Sequence, residues 1–410
     1  MVVGYSGGLD STVLLHALAY LPGLDRASLV AVHVHHGLSP WADAWAAHCQ
    51  AFCDGLGIGL VQARVQVQRR GKGLEAAARQ ARYGVFGGLD VEALLLAHHR
   101  DDQAETVLLQ MLRGASVRGM AAMPEARPLK PGTLLLRPFL SLTRSDLEGY
   151  AVRHGLSWVE DESNQDPSLA RNHVRHVLLP GLEAAIPGLP RALARMACHF
   201  AEWADLLDDL ADADAAGHAD RDGLSLARLK VLPESRARNL LRRHLEQAGG
   251  QIGRQALVEA VRQLRSAADT AQVRIDFGDY SVVRFQGHVR VVPRAVFSPV
   301  PALDQAWQGE TRLDLGDAGH LVLRPGVGDV ALPPGARLRR RLPGDRMALG
   351  PHQPRRLLKD LLREAGIPPW RRPWLPVFEV DGQVVWVAGL GPAAGFSSTA
   401  GWAISWASPW

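Results

Sequence analysis

The chain has 410 residues, 47% hydrophobic and 21% charged, with a formal net charge of +4 and an isoelectric point near 9.2. This is the composition of a soluble globular protein long enough for two or three domains. Apolar runs such as Ala93 to Ala97 are too short to span a bilayer, so no membrane partner is expected, and no basic-then-apolar leader precedes the first motif. Three cysteines, Cys49, Cys53 and Cys198, exclude a disulfide scaffold and point to the reducing cytoplasm.

The first predicted elements are a short strand at Val2-Val3, a glycine turn at Ser6-Gly7-Gly8, and an amphipathic helix from Thr12 to Leu21. Orphan N–H groups at such a helix start, together with the helix dipole, favour an anion over the turn. Ser6, Ser11 and Thr12 add hydroxyls, Asp10 adds a carboxylate, and Leu9 completes the run. The run reads as a phosphate cradle. It is neither a Walker loop, because no lysine lies between Gly4 and Leu24, nor a dinucleotide fingerprint.

Leu29 to Val34 then reads as a buried strand ending in His33, His35 and His36. Trp45 to Leu56 reads as a helix carrying Cys49 and Cys53, Leu60 to Val67 as a third strand, Glu75 to Phe86 as a helix, and Ala93 to Ala97 as a fourth strand. This alternation predicts a parallel sheet with helices on both faces and ligands at the carboxyl ends of the strands.

The run A-H-H-R-D-D-Q-A-E-T (97–106) follows that fourth strand. Read as a helix, it puts His98, Asp102, Glu105 and Thr106 within one face. One imidazole and two carboxylates can bind Mg²⁺, hold an ammonium or move a proton; acids are equally at home in a solvated first turn. The H-E-x-x-H spacing of a zinc site is absent.

Pro187 to Pro190 reads as a turn that closes the first domain. Helices are expected at 191–211 and 226–264, alternating strands at 274–292, and a proline-rich linker at 292–301. The last domain (302–410) is expected to mix strands at 321–324 and 384–388 with a helix at 355–365. Arg337, Arg339 to Arg341, Arg355, Arg356, Lys359, Arg371 and Arg372 gather there beside Trp370 and Trp374. Such a group is a solvated face or a nucleic-acid contact.

The pattern S-G-G-x-D-S resembles the pyrophosphate loop of the N-type ATP pyrophosphatases, which cleave ATP between the α- and β-phosphates. Further blocks make nearly the whole chain resemble the tRNA(Ile)-lysidine synthetases: H-V-H-H-G-L-S (33–39), E-A-A-A-R-Q-A-R-Y (75–83), H-x-x-D-D-Q-A-E-T (98–106) and R-P-F-L-S-L-T-R (137–144). W-V-E-D-E-S-N (158–164), R-N-H-V-R (171–175), G-D-R-M (344–347) and 355–372 also match. Two features depart from that family. The first strand begins almost at Met1, so an N-terminal segment is expected to be missing. The stretch after Arg113 reads G-A-S-V-R-G-M where the family is glycine-rich.

The resemblance implies an α/β, parallel-sheet ATP pyrophosphatase-like catalytic domain (1–190). A mainly helical, mixed tRNA-binding domain (191–295) and a small α+β C-terminal tRNA-binding domain (302–410) would follow. It implies ATP and Mg²⁺ as cofactors, and L-lysine and tRNA(Ile) with a CAU anticodon as partners. The product is lysidine, formed through an adenylated wobble cytidine. Asp10, His98, Asp102 and Glu105 become the reactive set, with Asp10 toward Mg²⁺. Ser6 to Thr12 and His33 would bind ATP, and Asp102, Glu105, Arg171 and Arg175 would bind lysine. Arg355, Arg356, Lys359, Arg371 and Arg372 would bind tRNA. Which of His98, Asp102 and Glu105 is the base stays open, as does oligomeric state, with a homodimer compatible. A tRNA thiolase of the same fold is the nearest alternative, although C-x-x-C is absent. An amidotransferase-type synthetase lacks its Cys–His pattern here, and an inactive tRNA-binding protein would have lost the loop or the acids.

Overall fold

The computed structural model describes residues 1–67, 73–162, 166, 169–220, 223–268 and 271–408. Ser163 and Asn164 of the 158–164 block and Trp410 of the tail lie outside them. The described chain forms two compact units, 1–207 and 208–410.

The first unit is built on six strands: β1 (Val2–Gly4), β2 (Val30–His35), β3 (Gly59–Arg64), β4 (Ala93–Leu95), β5 (Ala126–Lys130) and β6 (Thr133–Leu136), in the order β3-β2-β1-β4-β6-β5. All neighbours are parallel except the β5–β6 hairpin, which the sequence did not reveal. Alternation along the strands sends side chains to opposite faces. Val3, Ala31 and Leu95 pack with α1 (Leu9–Ala19), α2 (Ala42–Leu56) and, later in the chain, Leu147 and Ala151. Val2, Val32, Leu94 and Leu135 pack on the other face with Phe86 of α3 (Leu74–Gly88). Helices therefore cover both faces of a parallel sheet.

The strand order fixes where a ligand can sit. The chain runs outward from β1 to β2 and β3, then returns to place β4 on the other side of β1. That reversal opens a crevice at the carboxyl ends of β1 and β4. Ser6 to Ser11 leave β1 there, and His98 and His99 leave β4.

Helix α4 (Arg100–Leu112) starts two residues after His98, followed by α5 (Val117–Met120) and α6 (Arg144–Arg153). A helical run then comprises α7 (Ala170–His173), a π turn (Val174–Leu178) and α8 (Leu179–Ala185). Ala104, Val107 and Leu108 of α4 pack against Val174 and Leu179 of that run. This contact brings the polar faces of both helices together.

Helix α9 (Leu189–Ala215) begins where the sequence suggested a domain boundary and crosses residue 207, where the two units divide. In the second unit the predicted 226–264 helix is three: α10 (Leu226–Val231), α11 (Glu234–Gln247) and α12 (Arg254–Ser266). Pro233 caps α11, and Gly249, at φ +85°, ends it, as a missing N–H and a left-handed residue require.

Strands β7 (Ala219–Asp220), β8 (Gly223–Ser225), β9 (Arg274–Phe277), β10 (Tyr280–Phe285) and β11 (His288–Pro293) form an antiparallel sheet over these helices. The remainder holds β12 (Asp304–Ala306), β13 (Arg312–Asp314), β14 (His320–Val330), β15 (Arg337–Arg340), β16 (Arg346–Met347) and β17 (Arg356–Leu357). After α13 (Leu358–Glu364) come β18 (Pro376–Val380), β19 (Gln383–Val387), β20 (Gly391–Pro392) and β21 (Ser397–Ala407). Trp307, Trp374 and Trp386 are buried in its core, and Trp402 and Trp406 pack against it. The tryptophan-rich tail is thus sheet packing as far as it is described. Among the described residues no helix is long and apolar enough to cross a membrane.

Candidate active site

The cradle is a turn wired to itself. The Ser6 N–H donates to Ser11 Oγ at 3.2 Å, Ser11 Oγ donates to the Gly8 carbonyl at 3.0 Å, and the Gly8 N–H donates to Ser6 Oγ at 3.3 Å. Thr12 is fully buried and gives its hydroxyl to the Gly8 carbonyl at 2.9 Å, so it shapes the turn from below. Leu9 is core. The N–H groups of Gly7, Leu9, Asp10 and Ser11 donate to no protein group among the described residues, which is the donor set an anion at a helix start uses. Gly7 has φ +85°, and a Cβ there would lie 2.8 Å from Cys49 Sγ and 3.0 Å from Val159. Only glycine fits this position. The Val159 N–H closes the turn from the other side by donating to the Gly7 carbonyl at 2.9 Å.

His33 supports the cradle's base. It is buried, its Nδ1 lies 3.0 Å from the Tyr5 carbonyl, and burial pushes its pKa down. A neutral ring donating Nδ1–H to that carbonyl satisfies the geometry.

The sequence reading put His98 on the helix face with Asp102 and Glu105. It is instead in the segment between β4 and α4, and the cap of α4 is His99. The His99 N–H donates to Asp102 Oδ2 at 3.0 Å. Its buried ring puts Nε2 at 3.4 Å from Asp102 Oδ2 and 3.7 Å from Asp10 Oδ2. His99 was not singled out from the sequence because a helix starting at His98 turns it off the polar face. Thr106 bonds back to the Asp102 carbonyl at 2.7 Å.

Asp102 and Glu105 are buried and meet both predicted arginines. Arg171 donates Nε to Glu105 Oε2 at 2.9 Å and Nη2 to Asp102 Oδ1 at 3.0 Å; Arg175 donates Nε to Glu105 Oε1 at 2.5 Å and Nη2 to Asp102 Oδ1 at 2.8 Å. Arg175 lies in the π turn, a helix irregularity common at functional sites. Burial alone would raise the Asp102 pKa, but His99, Arg171, His98 and Arg175 outweigh it and hold the carboxyl well below the usual range.

Burial raises the Asp10 pKa; His99 opposes this and Asp102 adds to it. Asp10 Oδ1 is buried without a hydrogen-bond partner. Among the described residues no three His, Cys, Asp or Glu side chains are set to hold a metal ion. Mg²⁺ needs less from a protein: one or two carboxylates, with phosphate and water as its other ligands. The orphaned Asp10 oxygen beside the N–H cradle fits that demand.

Cys49 and Cys53 lie beneath the cradle, buried, with thiols pushed up to about 12 and about 11, chiefly by that burial. Neither forms a thiolate at neutral pH, which sulfur transfer needs.

In the second unit the basic residues divide. Arg356 pairs with Glu364, Arg337 with Asp304, and buried Arg339 with Asp345 and Glu379. Arg355 donates Nη2 to the Arg346 carbonyl at 3.4 Å, and Lys359 is exposed. Arg371 and Arg372 are half-buried beside other arginines: burial and Arg290 push Arg371 down, and burial, Arg341 and Arg363 push Arg372 down. Trp370 packs on Phe285, and buried Trp374 donates to the Val296 carbonyl, so Trp374 offers no stacking surface.

A parallel sheet with an N–H cradle at its switch point, and an acid cluster beside it, defines a nucleotide-using enzyme of the PP-loop class. The PP-loop domain family matches residues 1–182, the TilS substrate binding domain matches 224–290, and the TilS substrate C-terminal domain matches 336–406. A tRNA(Ile)-lysidine synthase from Nitrosomonas europaea is 40% identical over 98% of this chain and 90% of its own; one from Azoarcus sp. is 43% identical over 97% and 88%. The chain belongs to the tRNA(Ile)-lysidine synthase family. A solved tRNA thiolase from Methanococcus maripaludis is 19% identical and aligns over 49% of this chain and 72% of its own at a TM-score of 0.41.

Proposed function

We propose that this protein joins L-lysine to C2 of the wobble cytidine of a tRNA(Ile) with a CAU anticodon. The cytidine C2 oxygen attacks the α-phosphorus of ATP, the α–β P–O bond breaks, and pyrophosphate leaves. The ε-amine of lysine then attacks C2, the C2–O bond breaks, and AMP leaves. The cradle from Ser6 to Ser11 holds the leaving pyrophosphate through backbone N–H groups, with His33 and Thr12 keeping its shape. Mg²⁺, bound through Asp10, would offset phosphate charge.

The observation that carries this reading is the quartet of Asp102, Glu105, Arg171 and Arg175 beside the nucleotide loop. Free lysine brings an ammonium and a carboxylate. Two acids suit the first and two arginine forks suit the second or the phosphate oxygens. The ammonium has an ordinary pKa near ~10.4 and must lose a proton before it attacks; a carboxylate of the quartet takes it. Residues 1–190 carry the chemistry, and 191–295 and 302–410 grip the tRNA, with Arg355, Arg356, Lys359, Arg371 and Arg372 on phosphates.

The test is ATP–pyrophosphate exchange in the presence of tRNA(Ile) transcripts, followed by incorporation of labelled lysine. Exchange that depends on the tRNA, with lysine in the product, is expected. Incorporated sulfur, or no lysine, overturns the reading.

A further inference from the structure

The block that begins at Arg137 has no task in the mechanism above, yet its first residue is one of the few buried arginines. Arg137 follows β6 directly and is 3% exposed. Its N–H donates to the Glu125 carbonyl at 2.8 Å, and the Leu96 N–H donates to the Leu136 carbonyl at 2.9 Å. The segment leading from β4 to His98 is thereby fixed against the residue before Arg137. The guanidinium donates Nη1 to the Pro124 carbonyl at 2.7 Å and Nε to His98 Nδ1 at 3.3 Å. No carboxylate lies within ion-pair distance of it among the described residues. A buried cation without an acid is costly, and here its directional contacts include a carbonyl, one imidazole nitrogen and the Tyr83 side chain.

A guanidinium has five donors and no acceptor. The ring nitrogen that faces Arg137 must therefore present its lone pair, because two N–H groups 3.3 Å apart would repel. His98 then carries its proton on Nε2. We propose that Arg137 is a positioning residue that locks His98 in the Nε2–H tautomer, making it a hydrogen-bond donor to the adenylate and excluding it as the base. Neither nitrogen can accept the lysine proton: Nδ1 is occupied and Nε2 is already protonated. Of the three candidate bases, Asp102 and Glu105 remain. The charges around His98 disfavour its imidazolium form. Burial drives the His98 pKa down to about 3; Asp102 opposes this, while Arg137, Arg171 and Arg79 add to it. The donor role rests on the proposed ligation chemistry; the tautomer does not.

The test uses the full chain labelled with ¹⁵N-histidine, with the His98 signals assigned by their loss in His98→Gln. Long-range ¹H–¹⁵N spectra at neutral pH are expected to show His98 with a protonated Nε2 and a bare Nδ1. A protonated Nδ1, or an imidazolium, overturns the proposal. In Arg137→Gln the two tautomers should mix, and kcat for lysine incorporation should fall about 10- to 100-fold with the KM for ATP little changed. Arg137→Lys, which restores a charged donor, should recover the single tautomer and most of kcat. It also decides the matter if Arg137→Gln does not fold. An Arg137→Gln enzyme that keeps pure Nε2–H and wild-type kcat overturns the assignment. Absence of lysine incorporation by the wild type would remove the ligation reading and leave the tautomer to be judged by the spectra.

Discussion

Asp10 and Asp102 converge on one nitrogen. His99 Nε2 lies 3.7 Å from an Asp10 oxygen and 3.4 Å from an Asp102 oxygen, inside a ring that is 1% exposed. The imidazole thus lies between the Ser6–Thr12 loop and the acid cluster. Burial raises the Asp10 pKa and His99 offsets part of that rise. In His99→Gln the offset is gone, so Asp10 should protonate at a higher pH. The acid limb of the ATP–pyrophosphate exchange profile should move to higher pH, with activity at alkaline pH less affected. An unmoved limb would separate His99 from Asp10.

Asp102→Asn keeps the shape of the quartet and removes one charge. Lysine incorporation should drop by about 100-fold or more if the carboxylate moves the proton. Stability should also fall, by about 3 kcal/mol, because Arg171 and Arg175 then share Glu105 alone. The Asp102 pKa is depressed in the folded state. Its contribution is therefore complete above the unfolded value near ~3.9 and is lost as pH falls through the lower folded value. Denaturant titrations across the acid range should show a shallower loss in the variant than in the wild type. A second change, Arg175→Met, should restore part of the stability and none of the activity.

Much of this site was legible because its parts are local. The cradle is seven consecutive residues whose glycines and hydroxyls serve one turn, and Asp102 and Glu105 sit one helical turn apart. The alternating strands likewise predicted the parallel sheet. What failed depends on offsets or distant partners. A helix start placed two residues early put His98 on the face and hid His99. The β5–β6 hairpin has Pro128 and Gly132 near its turn and little alternation to read. Arg339 looked like one more surface charge in a basic run, but its partners Asp345 and Glu379 lie on other segments, which no local pattern reveals. The long helix expected at 226–264 ignored Pro233.

Gly7→Ala should spare the fold and spoil the cradle. The backbone is left-handed there, and the added methyl meets Cys49 Sγ and Val159. A cost on the order of 1–3 kcal/mol is expected, concentrated in the loop. ATP–pyrophosphate exchange should be lost while the melting transition stays cooperative. The double variant Gly7→Ala, Cys49→Ala opens one of the two contacts and should recover little, because φ is unchanged. Full recovery would mean that packing, and not backbone conformation, fixes the glycine.

The thiols separate lysine ligation from sulfur transfer. Cys49 and Cys53 are buried and Cys198 is exposed. A thiol reagent at neutral pH should label the native protein at Cys198 and reach the other two only on unfolding. Cys49→Ser with Cys53→Ser should still incorporate lysine near the wild-type rate. Loss of activity with an unchanged melting curve would give one of these sulfurs a chemical role.

The arginines of the second unit should differ in what they give to tRNA binding. Arg356 already holds Glu364, so binding RNA through it means giving up an existing pair. Arg371 gives Nη2 to Ser408 Oγ and Arg372 gives Nε to the Ile367 carbonyl, and burial and neighbouring arginines push both pKa values down. Arg371→Gln and Arg372→Gln should each weaken tRNA binding, and each should flatten the dependence of log K on log salt by about 1. Arg356→Gln should change both less. The measurement is a filter-binding or fluorescence titration at several salt concentrations. Equal slopes for all three variants would place the phosphate contacts elsewhere on the unit, because a residue that releases no counterions leaves the slope where it was.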